Sequence, residues 1–252
     1  GFTAHSYNSE NNQSGSVDSN FSYKKSFFKI LPDFNMIIQL KDSESLRLNY
    51  AMRTQFTDIT KIARGLVLNN YNSLFIGTQD LQNAVSHNIS LNYYSFNLFN
   101  YTNVYAGINY NKSIDQIRNL TSFESVIATS NPFNSSFADE NLSVYGRYQR
   151  SYGKIRGTLG TSLNLSKFNQ FIRDTSAPSL SETFSQSYNS SIRTLFKNAP
   201  NIEAGIKYSI SETNIGSLET KYFTESPFVE LDALILKSFT FRTNYSTTKF
   251  KD

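Results

Sequence analysis

The 252 residues carry 24 basic and 20 acidic side chains, a net charge of +4, with no cysteine, no tryptophan and only two histidines, His5 and His87. Zero cysteine excludes disulfide frameworks, thiol nucleophiles and Cys-ligated zinc, and two histidines leave little for histidine-based metal or triad chemistry. The basic residues are scattered rather than gathered into the dense run that a nucleic-acid groove requires, which argues against a nucleic-acid partner and makes the pI near 9.0 incidental.

Hydrophobic residues make up 38% of the chain and the mean hydropathy is −0.41. Those values suit a polar soluble protein, but a membrane β-barrel averages the same way because only every second strand residue meets lipid. No run approaches the roughly 20 apolar residues of a membrane helix. The 16 Tyr and 21 Phe, with abundant Asn, Ser and Thr, favour strands. No basic stretch leads into an apolar core and cleavage site. The expectation is a chain whose export signal has been removed, or an internal piece of something longer.

In chain order, residues 1–20 read as the end of a strand and a loop, being rich in Asn, Ser and Gly. Residues 21–40 form a long extended segment, with Phe34, Met36, Ile38 and Leu40 alternating after Pro32. Residues 41–45 turn. A strand over 46–53 follows, then a polar excursion over 54–84, too long for a compact domain unless it is functional. Strands over 86–96 and 102–117 come next, joined by a turn at 98–101. Residues 122–150 read as one long or interrupted strand, and a tight turn at 151–153 leads into a strand climbing through Leu165. A second polar loop covers 172–181. Strands over 184–196, 202–210, 218–235 and 239–245 complete the pass, with turns at 197–200 and 236–238 and a loop closed by Gly216.

Within these strands large apolar residues alternate with polar ones, so one face is greasy and the other wet. Leu46, Leu48 and Tyr50 share one side, and Arg47 and Asn49 the other. Short turns alternate with longer links (54–84, 117–122, 168–182, 211–217), the asymmetry of outer-membrane barrels. Strands leaving a short turn end their apolar file on Tyr50, Tyr110, Tyr208 and Tyr245, while returning strands place Tyr93 and Tyr148 near the opposite end. Tyrosines so placed would form girdles at two membrane interfaces. Alternating strands ending in aromatics also build soluble sandwiches and adhesin modules. Strand length favours the barrel, since sandwich strands more often hold about five or six residues.

Arg53-Thr54, Asn72-Ser73-Leu74, the segment Gly77-Thr78-Gln79-Asp80-Leu81-Gln82-Asn83, and Ser86-His87-Asn88 together resemble the barrel of TonB-dependent outer-membrane receptors of the Bacteroidetes type. In that family a strand ending in Arg-Thr leads into an extracellular loop with Asn-Pro-Leu and Gly-Asn-Pro-Asp-Leu-Lys-Pro elements, and then into Ser-His-Asn. Here Ser73, Gln79 and Asn83 replace the prolines. Residues 196–205 and 227–245 also resemble hairpins of that family. The resemblance implies an all-β, antiparallel up-and-down transmembrane β-barrel, here a partial one of about 11 strands from a larger, roughly 22-stranded barrel. It makes 1–252 a single barrel segment, with wall from residue 21 onward, the plug domain and C-terminal strands absent, and 54–84 as an outer loop. It implies a bacterial outer-membrane location, the lipid bilayer as partner, and a plug and a TonB-type energy-coupling protein in the intact molecule.

The candidate lumen-facing lining consists of Arg47, Arg53, Arg156, Glu203, Lys207, Glu230, Asp232 and Arg242, with Arg147 and Arg193 in the same phase. Asp58, Asn72 and Asp80 are candidate extracellular loop contacts. For any one of these charges, solvation of the inner wall and pairing across strands is the stronger account. No phosphate loop, serine elbow or carboxylate pair stands out, so neither enzyme activity nor a cofactor is expected. The implied function is capture or passage of a solute, the substrate class staying open. The alternatives are a structural or docking barrel of an envelope complex, and a secreted soluble β-rich adhesin or carbohydrate-binding module.

Overall fold

The computed structural model describes residues 1–13, 21–62, 66–171, 179–197, 200–235 and 239–251. Its strands are β1 (Phe2–Gln13), β2 (Phe21–Lys41), β3 (Glu44–Gln55), β4 (Leu66–Asn70), β5 (Ser73–Ile76), β6 (Ala84–Asn97), β7 (Thr102–Ile114), β8 (Ile117–Glu124) and β9 (Ile127–Asn134). They continue with β10 (Asp139–Tyr152), β11 (Ile155–Gln170), β12 (Ser179–Thr194), β13 (Asn201–Ile215), β14 (Leu218–Ile235), β15 (Phe239–Ser246) and β16 (Lys249–Lys251). A single helical turn, α1 (Ile59–Ile62), interrupts them.

Twelve of these strands build one antiparallel sheet in the order β1-β2-β3-β6-β7-β10-β11-β12-β13-β14-β15, with β16 also on β14. Because β15 and β16 pair successive stretches of the same strand, they make one line, and the sheet has eleven lines. It is open, with β1 and β15 ending the order rather than pairing each other.

Period-two alternation gives the sheet two chemically distinct faces. Met36, Leu48, Leu91, Ile108, Val144 and Leu163 form one register row across six strands. One residue over, Asn35, Asn49, Ser90, Asn109, Ser143, Asn164, Ser185 and Ser211 form a polar row across eight. No described element layers over the apolar face: extensive contacts between elements run only between hydrogen-bonded sheet neighbours. Ile108 is 43% exposed, Ile206 39% and Ile192 62%, and Leu48 and Leu231 are half-buried. A two-sheet core would seal these side chains; this sheet leaves them open.

The apolar band also has a charged upper boundary on its own face. His87, Lys112, Glu140, Lys167 and Glu182 stand in one register row towards the long links. Lys112 pairs with Glu140 at 2.9 Å and Lys167 with Glu182 at 2.5 Å. On β13 and β14 the first such pair, Lys221 with Glu212, lies one row nearer the short turns. The band shifts with it. Register aligns residues 104–110 of β7 with 221–227 of β14, yet the apolar file of β14 runs through Val229, Leu231 and Ala233. A level plane crossing tilted strands would meet each successive strand at a displaced residue, and the drift has that pattern.

Several expectations need correction. The segment over 1–20 is more than a strand end: all twelve residues of β1 pair with β2, and residues 14–20 lie outside the described set. Residues 211–217 are not a long link, since β13 runs to Ile215 and a turn with Gly216 at φ 60° leads directly into β14. The stretch 122–150 is interrupted after Asn134, as its alternative reading has it, but its outer part is not wall, because β8 and β9 belong to a separate sheet. Residues 117–122 lie within β8 rather than in a link. The 168–182 link contracts to 171–178, of which 172–178 lie outside the described set, as do 198–199 and 236–238 of the turns at 197–200 and 236–238.

The excursions between β3 and β6 and between β7 and β10 join in a second sheet, ordered β4-β5-β9-β8, in which β5 and β9 run parallel. Asn134 bridges them: its Oδ1 accepts the Gln82 N–H at 2.6 Å, and its Nδ2 donates to the Gln82 and Asp115 carbonyls. Among the described residues the buried apolar side chains Phe27, Leu31, Ile62, Leu81, Ala84, Val85 and Pro132 gather at this end. Tyr7 stacks on Phe56 with centroids 4.9 Å apart, and the buried Thr57 donates its N–H to Asn83 Oδ1 at 3.0 Å.

Candidate functional site

The polar face holds a cavity of about 450 Å³ over the middle of β7 and β10–β14, lined by Tyr105, Tyr145, Arg147, Asn189, Lys207 and Phe228 among others. Glu203 and Glu230, neighbours in register on β13 and β14, complete it. The sequence-predicted Glu203, Lys207 and Glu230 therefore meet in one place.

Three glycines shape this surface. Gly107, Gly160 and Gly205 lie on the polar face, and the space a Cβ would occupy is taken by Tyr145, Asn189 and Phe228 of the adjoining strands. Strand glycines of this kind let a neighbouring side chain lie flat on the sheet. Tyr145, lying over Gly107, donates its hydroxyl to Asn92 Oδ1 at 2.6 Å and meets the Tyr105 hydroxyl at 3.1 Å. Phe228 presents its ring to Lys207 Nζ, 5.3 Å from the centroid. The wall is thus flattened into a shelf of aromatic faces bordered by fixed hydrogen-bonding groups.

Next to the shelf, towards the short turns, lies an ion-pair lattice. Asp232 bridges Arg193 at 2.5 Å and Arg242 at 2.5 Å, and Arg193 also reaches Glu203 at 3.4 Å. Arg156 sits beside Arg193 in register and donates to Ser151 Oγ at 3.3 Å. Asp232 and Arg242 from the predicted lining fall in this lattice, and Arg156 lies beside it. Arg47 stands apart, exposed and opposite Asn92. Arg53 lines a separate recess of about 210 Å³ with Asn49, Asn88 and Asn111.

The three loop candidates do not converge. Asp58 caps α1, its Oδ1 accepting the Thr60 N–H at 2.9 Å and the Thr60 hydroxyl at 2.8 Å. These bonds hold its carboxyl below the ordinary value of 3.8. A depressed folded pKa contributes stability that is present above the unfolded value and lost as pH falls through the folded one. The cap is therefore expected to hold at neutral pH and to weaken only below about pH 4. Hydrogen exchange at the Thr60 amide checks this, and Asp58→Asn should flatten the acid limb. Asn72 shapes the β4–β5 turn, its N–H donating to Asn70 Oδ1 at 3.2 Å and its carbonyl accepting the Ala128 N–H at 2.8 Å. Asp80 is exposed in a turn.

Sequence reasoning missed the aromatic members Tyr105, Tyr145 and Phe228 and the glycines beneath the shelf. The available signal was isolated glycine within an alternating strand, which marks a close approach. Among the described residues no three His, Asp or Glu side chains gather as metal ligands would. The site is suited to holding a polar solute by hydrogen bonds and ring contacts, with mixed-sign charge alongside. Comparison of the chain with protein-family models, with curated proteins and with solved structures finds no match.

Proposed function

We propose that this chain forms part of the wall of an outer-membrane β-barrel of the TonB-dependent-receptor type, which captures or passes a solute along its polar face. The observation that carries the reading is the two-faced sheet, whose exposed apolar band drifts along successive strands as tilted membrane strands require. The 450 Å³ polar shelf then faces the lumen, and the β4-β5-β9-β8 sheet caps the outer end. A plug and a TonB-type energy-coupling partner in the intact molecule follow from the sequence resemblance alone.

The apolar band also disfavours a secreted soluble module, which would leave a contiguous greasy surface in water. Fractionation of the intact protein tests the reading. It should sediment with outer membranes, require detergent for release, and migrate differently on gels before and after boiling. Recovery from the medium without detergent would refute it.

A further inference from the structure

We propose that the apolar face carries a seat for one acyl chain of a bilayer lipid, in a cleft crossing β7, β10, β11, β12 and β13. The inference rests on the membrane reading above and adds a specific lipid site to it.

The cleft has a volume of about 480 Å³. Its floor comes from a change in side-chain size. Where the neighbouring row carries Ile108, Val144 and Leu163, the next row towards the short turns carries Ala106, Gly146 and Thr161, with Ser190 one row further on. Tyr148 and Leu159 bound it on one side and Tyr188, Ile206 and Tyr208 on the other. Leu159 is 56% exposed.

The glycines separate this cleft from an accident of packing. On the polar face each strand glycine is filled by an adjoining side chain, as described above. On the apolar face a Cβ at Gly146, in the cleft floor, would meet only Thr161 Cγ2 at 3.6 Å, and one at Gly157, outside the cleft, would meet nothing within 4 Å. The protein supplies no group of its own for this space.

The occupant follows from the surroundings. The cleft opens within the exposed apolar band, its lining is mostly carbon, and of the rim hydroxyls on Tyr148, Tyr188 and Tyr208 that of Tyr188 donates to Gln186 Oε1 at 3.0 Å. An alkyl chain matches that lining, while a polar ligand would meet mainly carbon in the cleft. Five strands at about 4.8 Å spacing give a length of about 19 Å. One leaflet of a roughly 30 Å hydrocarbon core is about 15 Å deep, so a single chain fits when laid obliquely.

These 252 residues hold no tryptophan, and replacing any carried elsewhere in the intact protein by phenylalanine permits a clean test. Leu159→Trp places a fluorophore at the cleft and Ile108→Trp places one on the open band. In the detergent-extracted intact protein, phospholipid brominated in mid-chain should quench Leu159→Trp at about tenfold lower lipid than Ile108→Trp. Adding Gly146→Leu should abolish that difference while leaving Ile108→Trp unchanged. Equal titrations, or a difference that survives Gly146→Leu, overturn the seat. If Ile108→Trp is not quenched even in vesicles of the brominated lipid, the membrane reading itself fails. Leu159→Cys, in intact protein with any other cysteine replaced by serine, adds a control, since rapid disulfide dimerisation there would assign the cleft to a protein neighbour instead.

Discussion

Ile108→Arg is expected to destabilise the vesicle-inserted protein by about 2–4 kcal/mol, whereas Asn109→Arg, one residue further along the same strand, should cost a small fraction of that. Ile108 lies in the middle of the apolar row and is 43% exposed, so an arginine there projects away from the sheet without clashing. Its penalty is the transfer of a guanidinium from water to hydrocarbon. Asn109 sits in the polar row between Ser90 and Ser143, where a cation meets water and amides. Urea titration of folding in lipid vesicles measures both. The contrast is specific to a lipid-facing surface: were that face bathed in water, the two substitutions would behave alike.

Gly205→Val should cost about 1–3 kcal/mol, the ordinary penalty of overpacking. A Cβ at that position would come within 2.6 Å of the Ser190 carbonyl oxygen and of the Phe228 ring. The ring can swing away, but the carbonyl belongs to the hydrogen-bonded ladder and cannot. Gly146→Ala is the matched control, since its added methyl finds ordinary contact with Thr161. Beyond stability, Gly205→Val should lift Phe228 off the shelf and weaken solute capture on the polar face. Denaturation midpoints give the first effect and a solute-binding titration the second. If Gly205→Val and Gly146→Ala prove equally neutral, the shelf is not held as described.

The wall was legible in the sequence because its two faces differ in kind. On β11 Leu159, Leu163 and Leu165 fall on one side and Asn164 and Ser166 on the other, and on β13 Ile202, Ala204, Ile206 and Ile210 alternate with Glu203 and Lys207; that contrast fixes both strand and face. β1 was not legible because His5-Ser6-Tyr7-Asn8 carries no apolar file; only its full pairing with β2 makes it a strand. The second sheet was hidden for another reason. Its central contact sets Ser73, Leu74 and Phe75 beside Ala128, Thr129 and Ser130, a parallel pairing across more than fifty residues with no local signature. The charges of the lining were identified by their phase along each strand, which shows the face but not the height. Height separates Arg47 from the Asp232 lattice, and it depends on register.

Strand direction along the sheet sets a rule for how this wall can be completed. Ten successive antiparallel steps leave the first and eleventh lines pointing the same way. Joining β15 straight to β1 would create a parallel seam, whose slanted hydrogen bonds are less stable per residue. A seamless cylinder containing this sheet therefore needs an odd complement of strands beyond those described here. Its even total is the parity found in single-chain bacterial barrels.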